Sequence, residues 1–183
     1  MPLNHTSQYA ELTDEHFQAI GKLTVEWSNI EFLLGMLLSR LLVTPAFLAR
    51  TYTDHMSGAK RQEAIKEACD IHRYRYGYQL ISEDQIKKIL DINGQITPLR
   101  STRNKFAHFC WSRSSDGEIF GTNLSGGIPE GSKYKKSFAS FTVAELANFH
   151  QRAYAIVDVL SGIIQHLPEM EERDLTRKVT GNK

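Results

Sequence analysis

Six consecutive residues, Arg103-Asn104-Lys105-Phe106-Ala107-His108, bring together the side-chain types that cleavage of an RNA phosphodiester requires. An imidazole titrates near neutral pH and can move a proton, and a guanidinium offers a planar fork that steadies phosphate charge in the transition state. RNA carries its own nucleophile, the 2′-hydroxyl, so no metal or other cofactor is obligatory. On this reading His108 is general acid or base, Arg103 holds the scissile phosphate, and Asn104 orients the phosphate or the imidazole.

Helical geometry adds to the pattern. Arg100, Asn104 and His108 fall at i, i+4 and i+8, one above another on a single face, where they can act on one ligand. Arg103 lies four after Leu99 and three before Phe106, a place on the apolar stripe where a hydrophobic residue is expected. The surroundings are basic: between residues 99 and 113, Arg100, Arg103, Lys105 and Arg113 occur with no acid. Arg100, Lys105, Trp111 and Arg113 are the candidate substrate-binding residues. Spacing alone is weak, because Arg50 and His55 stand equally far apart. Context separates the two pairs: only Arg103 is followed by a polar amide and sits late on a long amphipathic segment. A structural account of the same residues has Arg103 paired with a core carboxylate and His108 donating to a backbone carbonyl at the helix end; Glu31, near the apolar stripe of the first helix, reads either as a partner that aims Arg103 or as a boundary acid facing solvent.

At these residues the chain resembles the HEPN superfamily, whose pattern is Arg, a polar residue, three variable positions and His near the end of a long helix. Arg103 to His108 matches it throughout, and Trp27-Ser28-Asn29-Ile30-Glu31 is similar to the amphipathic opening helix of several HEPN groups. The resemblance runs from about residue 13 to 167. It implies a metal-independent endoribonuclease that leaves a 2′,3′-cyclic phosphate, with two Arg/His motifs meeting at a homodimer interface. It also implies a toxin or defence setting in which an antitoxin would be a separate chain. Some members are catalytically silent, so a helical dimerisation or partner-binding module is the alternative, and a nucleic-acid binder without cleavage is a third.

The elements that must position the motif follow from local signals. Thr13 caps a first long helix whose apolar residues recur at Phe17, Ile20, Leu23, Trp27, Ile30, Leu34, Leu37 and Leu41. Thr44-Pro45 predicts a short helix with the proline at its first position, and Ser57 caps another that ends near Gly77. Ser82 to Gln85 and Thr142 to Glu145 have the form of capping boxes, each opening a long helix, with Pro98 expected to kink the first of them. Glycine-punctuated runs at 118–124 and 134–141 read as a small β-hairpin or a loop. The expected class is all-α: an up-and-down bundle of three long helices plus one or two short ones, with the hairpin or loop inserted before the last. Residues 1–12 form an N-terminal extension, 13–167 one helical domain, and 168–183 a charged tail.

Composition narrows the remainder. The chain has 183 residues, formal net charge +1 and two cysteines, Cys69 and Cys110, with no CxxC pair or zinc-ligand spacing. The N-terminus lacks a secretion signal and the most apolar run, 30–43, is too short and too interrupted to span a bilayer, so a cytoplasmic protein without a membrane partner is expected. Two further basic-aromatic stretches invite attention. His72-Arg73-Tyr74-Arg75-Tyr76-Gly77-Tyr78 reads as a packed helix end or as a surface that stacks bases and binds phosphates. Trp111, Arg113, Lys133, Tyr134, Lys135 and Lys136 read as a solvated surface or as an RNA-facing hairpin.

Overall fold

A computed structural model describes residues 11–123 and 137–171. Its element order is α1 (Asp14–Leu41), α2 (Ala46–Thr53), α3 (Gly58–Tyr74), α4 (Glu83–His108), β1 (Cys110–Ser115), β2 (Glu118–Asn123), β3 (Ser137–Thr142) and α5 (Val143–Gln165). The chain is thus mostly helical, with a small antiparallel sheet of order β1-β2-β3 ahead of the last helix. Lys133 to Lys136 lie outside the described residues, as do most of the charged tail and the first ten residues.

Helix starts follow side-chain chemistry. The Thr13 hydroxyl accepts from the His16 N–H at 3.4 Å while His16 Nδ1 accepts from the Thr13 N–H at 3.2 Å, so a histidine fills the reciprocal role usually taken by Glu. Ser57 accepts from the Lys60 N–H. Ser82 and Gln85 cap each other reciprocally, as do Thr142 and Glu145. One start differs from expectation: α2 begins at Ala46, with Pro45 as its N-cap residue and no side-chain cap. The Thr44 hydroxyl donates instead to the Leu42 carbonyl, within the turn that Val43 enters at positive φ. Helix α3 stops at Tyr74, short of the expected end, because Gly77 and Tyr78 take left-handed conformations. Helix α4 is continuous through Pro98, which leaves the Gly94 carbonyl without its helical donor.

The described chain forms two compact units. The first holds residues up to Trp27 and Pro98–Tyr154: the opening of α1, the end of α4, the sheet and the first half of α5. Its buried side chains include Leu23, Trp27, Leu99, Ile119, Leu146 and Ala153. Strands β1 and β2 pair from Cys110↔Thr122 to Ser115↔Glu118 with a bulge after Arg113, and β2 pairs β3 from Glu118↔Thr142 to Asn123↔Ser137. Gly121 is required where it stands. A Cβ there would fall 2.6 Å from Trp111 Cε3, so the ring lies flat on the β2 backbone.

The second unit holds Ser28–Thr97 and the chain from Ala155. Its core is Ile30, Leu34, Leu37, Leu38, Leu41, Ile65, Ile81, Ile89, Ile96 and Leu160. Buried Gln62 donates to the Asn93 carbonyl at 2.7 Å and Asn93 Nδ2 returns a bond to the Gln62 carbonyl, tying α3 to α4. The Arg61 guanidinium donates to the carbonyls of Thr53 and Glu31, joining α3 to α2 and α1. Among the described residues no single helix is long and apolar enough to cross a membrane.

Candidate active site

The motif occupies the last turns of α4, with His108 as the final helical residue. Helical pitch places Arg100, Asn104 and His108 on one face; Arg100 is half-buried and the other two are exposed. The His108 imidazole has no hydrogen-bond or ionic partner among the described residues. Among the described residues it thus meets no helix-end carbonyl of the kind the structural account invokes.

Arg103 is half-buried, and its guanidinium carbon lies 5.9 Å from the centroid of the Trp27 ring. That contact explains a cation on an apolar stripe: the face of a fully buried indole attracts positive charge and lets the aliphatic stem pack. Among the described residues no carboxylate pairs with Arg103. Its hydrogen bond goes to the Asn104 side-chain oxygen at 3.5 Å, a long contact that leaves most of the fork's donors available. Glu31 lies in the other unit, where its carbonyl accepts from Arg61. The comparison pair behaves differently, since Arg50 is bound to Asp54 at 3.2 Å and its charge is already met.

An aromatic cluster fixes the end of α4 against the sheet. Phe106 stacks on Trp111 with centroids 4.9 Å apart and lies 5.2 Å from Phe141, which meets Phe149 edge-on at 5.5 Å. Phe109 stacks on the same indole at 5.8 Å. The Trp111 ring, offered by the sequence as a substrate contact, is taken up on its faces by these rings and by Gly121. The Lys105 ammonium stands 5.9 Å from the Phe141 centroid. Arg113 pairs at 3.2 Å with Asp116, just past the acid-free window that the sequence suggested, and at 3.8 Å with Glu11 from the distant start of the described chain. The structure thus groups Arg100, Arg103, Asn104, Lys105 and His108 on one helix end, while Trp111 packs and Arg113 is neutralised.

Sequence reasoning passed over two features of this unit. The cation–π contact joins Trp27 to Arg103 across the chain, and only the unexplained cation hinted at it. Glu26 and His150 approach within 4.0 Å, an acid–imidazole pair with no motif to announce it. No group of three His, Cys, Asp or Glu side chains among the described residues is arranged to hold a metal ion. No protein-family model, curated protein or solved structure matches the chain.

Proposed function

We propose that this chain is a metal-independent endoribonuclease of HEPN type, built as an up-and-down bundle and acting as a homodimer, in a toxin or defence role with any antitoxin on a separate chain. The observation that carries this reading is the unmet chemistry of Arg103 and His108. Both members of the motif stand without a carboxylate or backbone acceptor among the described residues, although one is half-buried. The Trp27 ring supports the Arg103 charge from one side, but neither Arg103 nor His108 meets an anion among the described residues, which suits both to engage a phosphate.

The chemistry follows from the side chains. A neutral imidazole takes the proton of the 2′-hydroxyl, the 2′-oxygen attacks phosphorus, and the bond to the 5′-oxygen breaks as a proton reaches that oxygen. The products are a 2′,3′-cyclic phosphate and a 5′-hydroxyl end. The Arg103 fork steadies charge on the non-bridging oxygens, and Asn104, in contact with it, fixes its orientation. Attack and departure lie on opposite sides of phosphorus, so one imidazole cannot perform both proton transfers at once. A second His108 from a second copy supplies the missing group, which is why a homodimer belongs to the proposal.

Incubation of the purified chain with RNA in excess EDTA tests this reading, with product ends identified by mass spectrometry. Cyclic phosphate ends are expected. Cutting that stops in EDTA, or that yields 3′-hydroxyl ends, would count against it.

A further inference from the structure

We infer that the turn closing α3 is a stacking platform for single-stranded RNA, a contact surface in the second unit that supplements the Arg103/His108 motif. The inference rests on the reading of RNA as the substrate. Four side chains form it: Arg73, Tyr74, Arg75 and Tyr76, all exposed, with Tyr74 at 77% and Tyr76 at 44% exposure. Tyr74 at that exposure contributes little to the core, which removes the packed-helix-end account of this tyrosine. No acid occurs from residue 71 to 82; a shallow depression is lined by Asp70, Ile71, Tyr74, Arg75 and Tyr76, and Glu83 lies within electrostatic reach of Arg73.

The surface is held in place from beneath. His72 is 2% exposed and its Nε2 lies 2.7 Å from the Leu41 carbonyl, anchoring the end of α3 on the end of α1. The Tyr76 ring lies 5.6 Å from the His72 ring. Gly77 at φ +56° and Tyr78 at φ +60° reverse the chain, and the Tyr78 N–H closes the turn on the His72 carbonyl at 3.1 Å. Reversal brings the Tyr78 hydroxyl to Arg73 Nε at 3.0 Å, and the Arg73 guanidinium carbon sits 5.4 Å from the Tyr74 centroid. Arg73 is thus oriented before any ligand arrives, and less side-chain entropy remains to be lost on binding.

Aromatic faces alternating with cations, Arg73 among them held in place, suit a ligand that presents flat bases and phosphates alternately. A duplex keeps its bases stacked inside and cannot use the tyrosine faces, so the platform selects unpaired strands. Binding draws on Tyr74 for stacking and on Arg73 and Arg75 for phosphate.

Fluorescence anisotropy of the full chain with a short labelled oligoribonucleotide, 2′-O-methylated so that it cannot be cut, tests this. The double substitution Tyr74→Ala/Arg75→Gln should weaken single-strand binding by about tenfold and flatten the salt dependence by roughly one phosphate contact. Tyr74→Phe with Arg75 intact should restore stacking, and both variants should keep the parent's helical circular dichroism. Unchanged affinity in the double variant, or equal affinity of the parent for the matching duplex, overturns the platform. RNA cutting is scored separately. A parent that binds through Tyr74 and Arg75 without cutting supports the platform and counts against the nuclease reading; a parent that cuts while the double variant binds as well as it does removes the platform alone.

Discussion

Arg103 and Lys105 carry the same charge two positions apart, yet their settings differ. Arg103 lies over the buried Trp27 ring and makes a long bond to Asn104, whereas Lys105 stands over the half-buried Phe141. Planar bidentate recognition of phosphate is available only to the guanidinium. Arg103→Lys should therefore lower cleavage by about 10²-fold while the circular-dichroism melt stays close to the parent's. A large fall in melting temperature with cleavage intact would reverse the assignment. The cysteines make a second contrast at this scale. Burial, reinforced by the adjacent Asp70, pushes the Cys69 thiol from 9.0 up to about 12, whereas Cys110 is exposed. The folded state holds the Cys69 proton where the unfolded chain has released it. Its contribution to stability is thus complete below pH 9.0 and is lost as pH rises from there toward about 12. Iodoacetamide at pH 8 should label Cys110 in the native protein and Cys69 only after denaturation, read by peptide mass. At this scale the sequence marked Arg103 and His108 by type and setting, but it gave no sign that Trp27 was the partner, because that contact depends on packing between distant segments.

Local capping chemistry was legible because donor and acceptor lie within four residues: Thr13, Ser57, Ser82 with Gln85, and Thr142 with Glu145 all cap as their spacing suggested. The apolar stripe of α1 was equally plain from Leu23 to Leu41, although Phe17 at its start is 39% exposed. Strand β1 was not legible. Its sequence, CWSRSS, has neither alternation nor β-branched residues, and it is a strand because β2 supplies its hydrogen bonds. The ring of Trp111 leaves no room for a side chain at Gly121. Gly121→Ala should cost about 1–3 kcal/mol, measured by urea unfolding, because the added methyl meets rigid indole atoms at 2.6 Å. Gln62 is the matching polar case in the other unit. Removing its amide takes one donor from the Asn93 main-chain carbonyl, while the Asn93 side chain keeps its bond to the Gln62 main-chain carbonyl, so Gln62→Leu should destabilise by about 1 kcal/mol; a neutral result would show that α3 and α4 do not depend on that bond.

At the scale of the molecule, the three long helices each contribute to both compact units, so their continuous apolar stripes concealed the division from sequence reasoning. What the sequence did convey was a lone Arg/His motif at a helix end, and chemistry supplies the rest of the argument: in-line displacement needs two proton-transfer groups and the motif carries one imidazole. Sedimentation equilibrium should accordingly report a dimer at concentrations where cleavage is seen, and specific activity should fall on dilution through the dimer dissociation constant. Activity per chain that is constant into the monomer range would remove the composite site. The most direct test of the central claim is cleavage by His108→Ala beside the parent, on the same RNA, in EDTA, at matched concentration. His108 is exposed and has no partner among the described residues, so the substitution should leave helicity and melting temperature unchanged. The account predicts that cutting is abolished while the fold is kept; cutting that persists in the folded variant would contradict it.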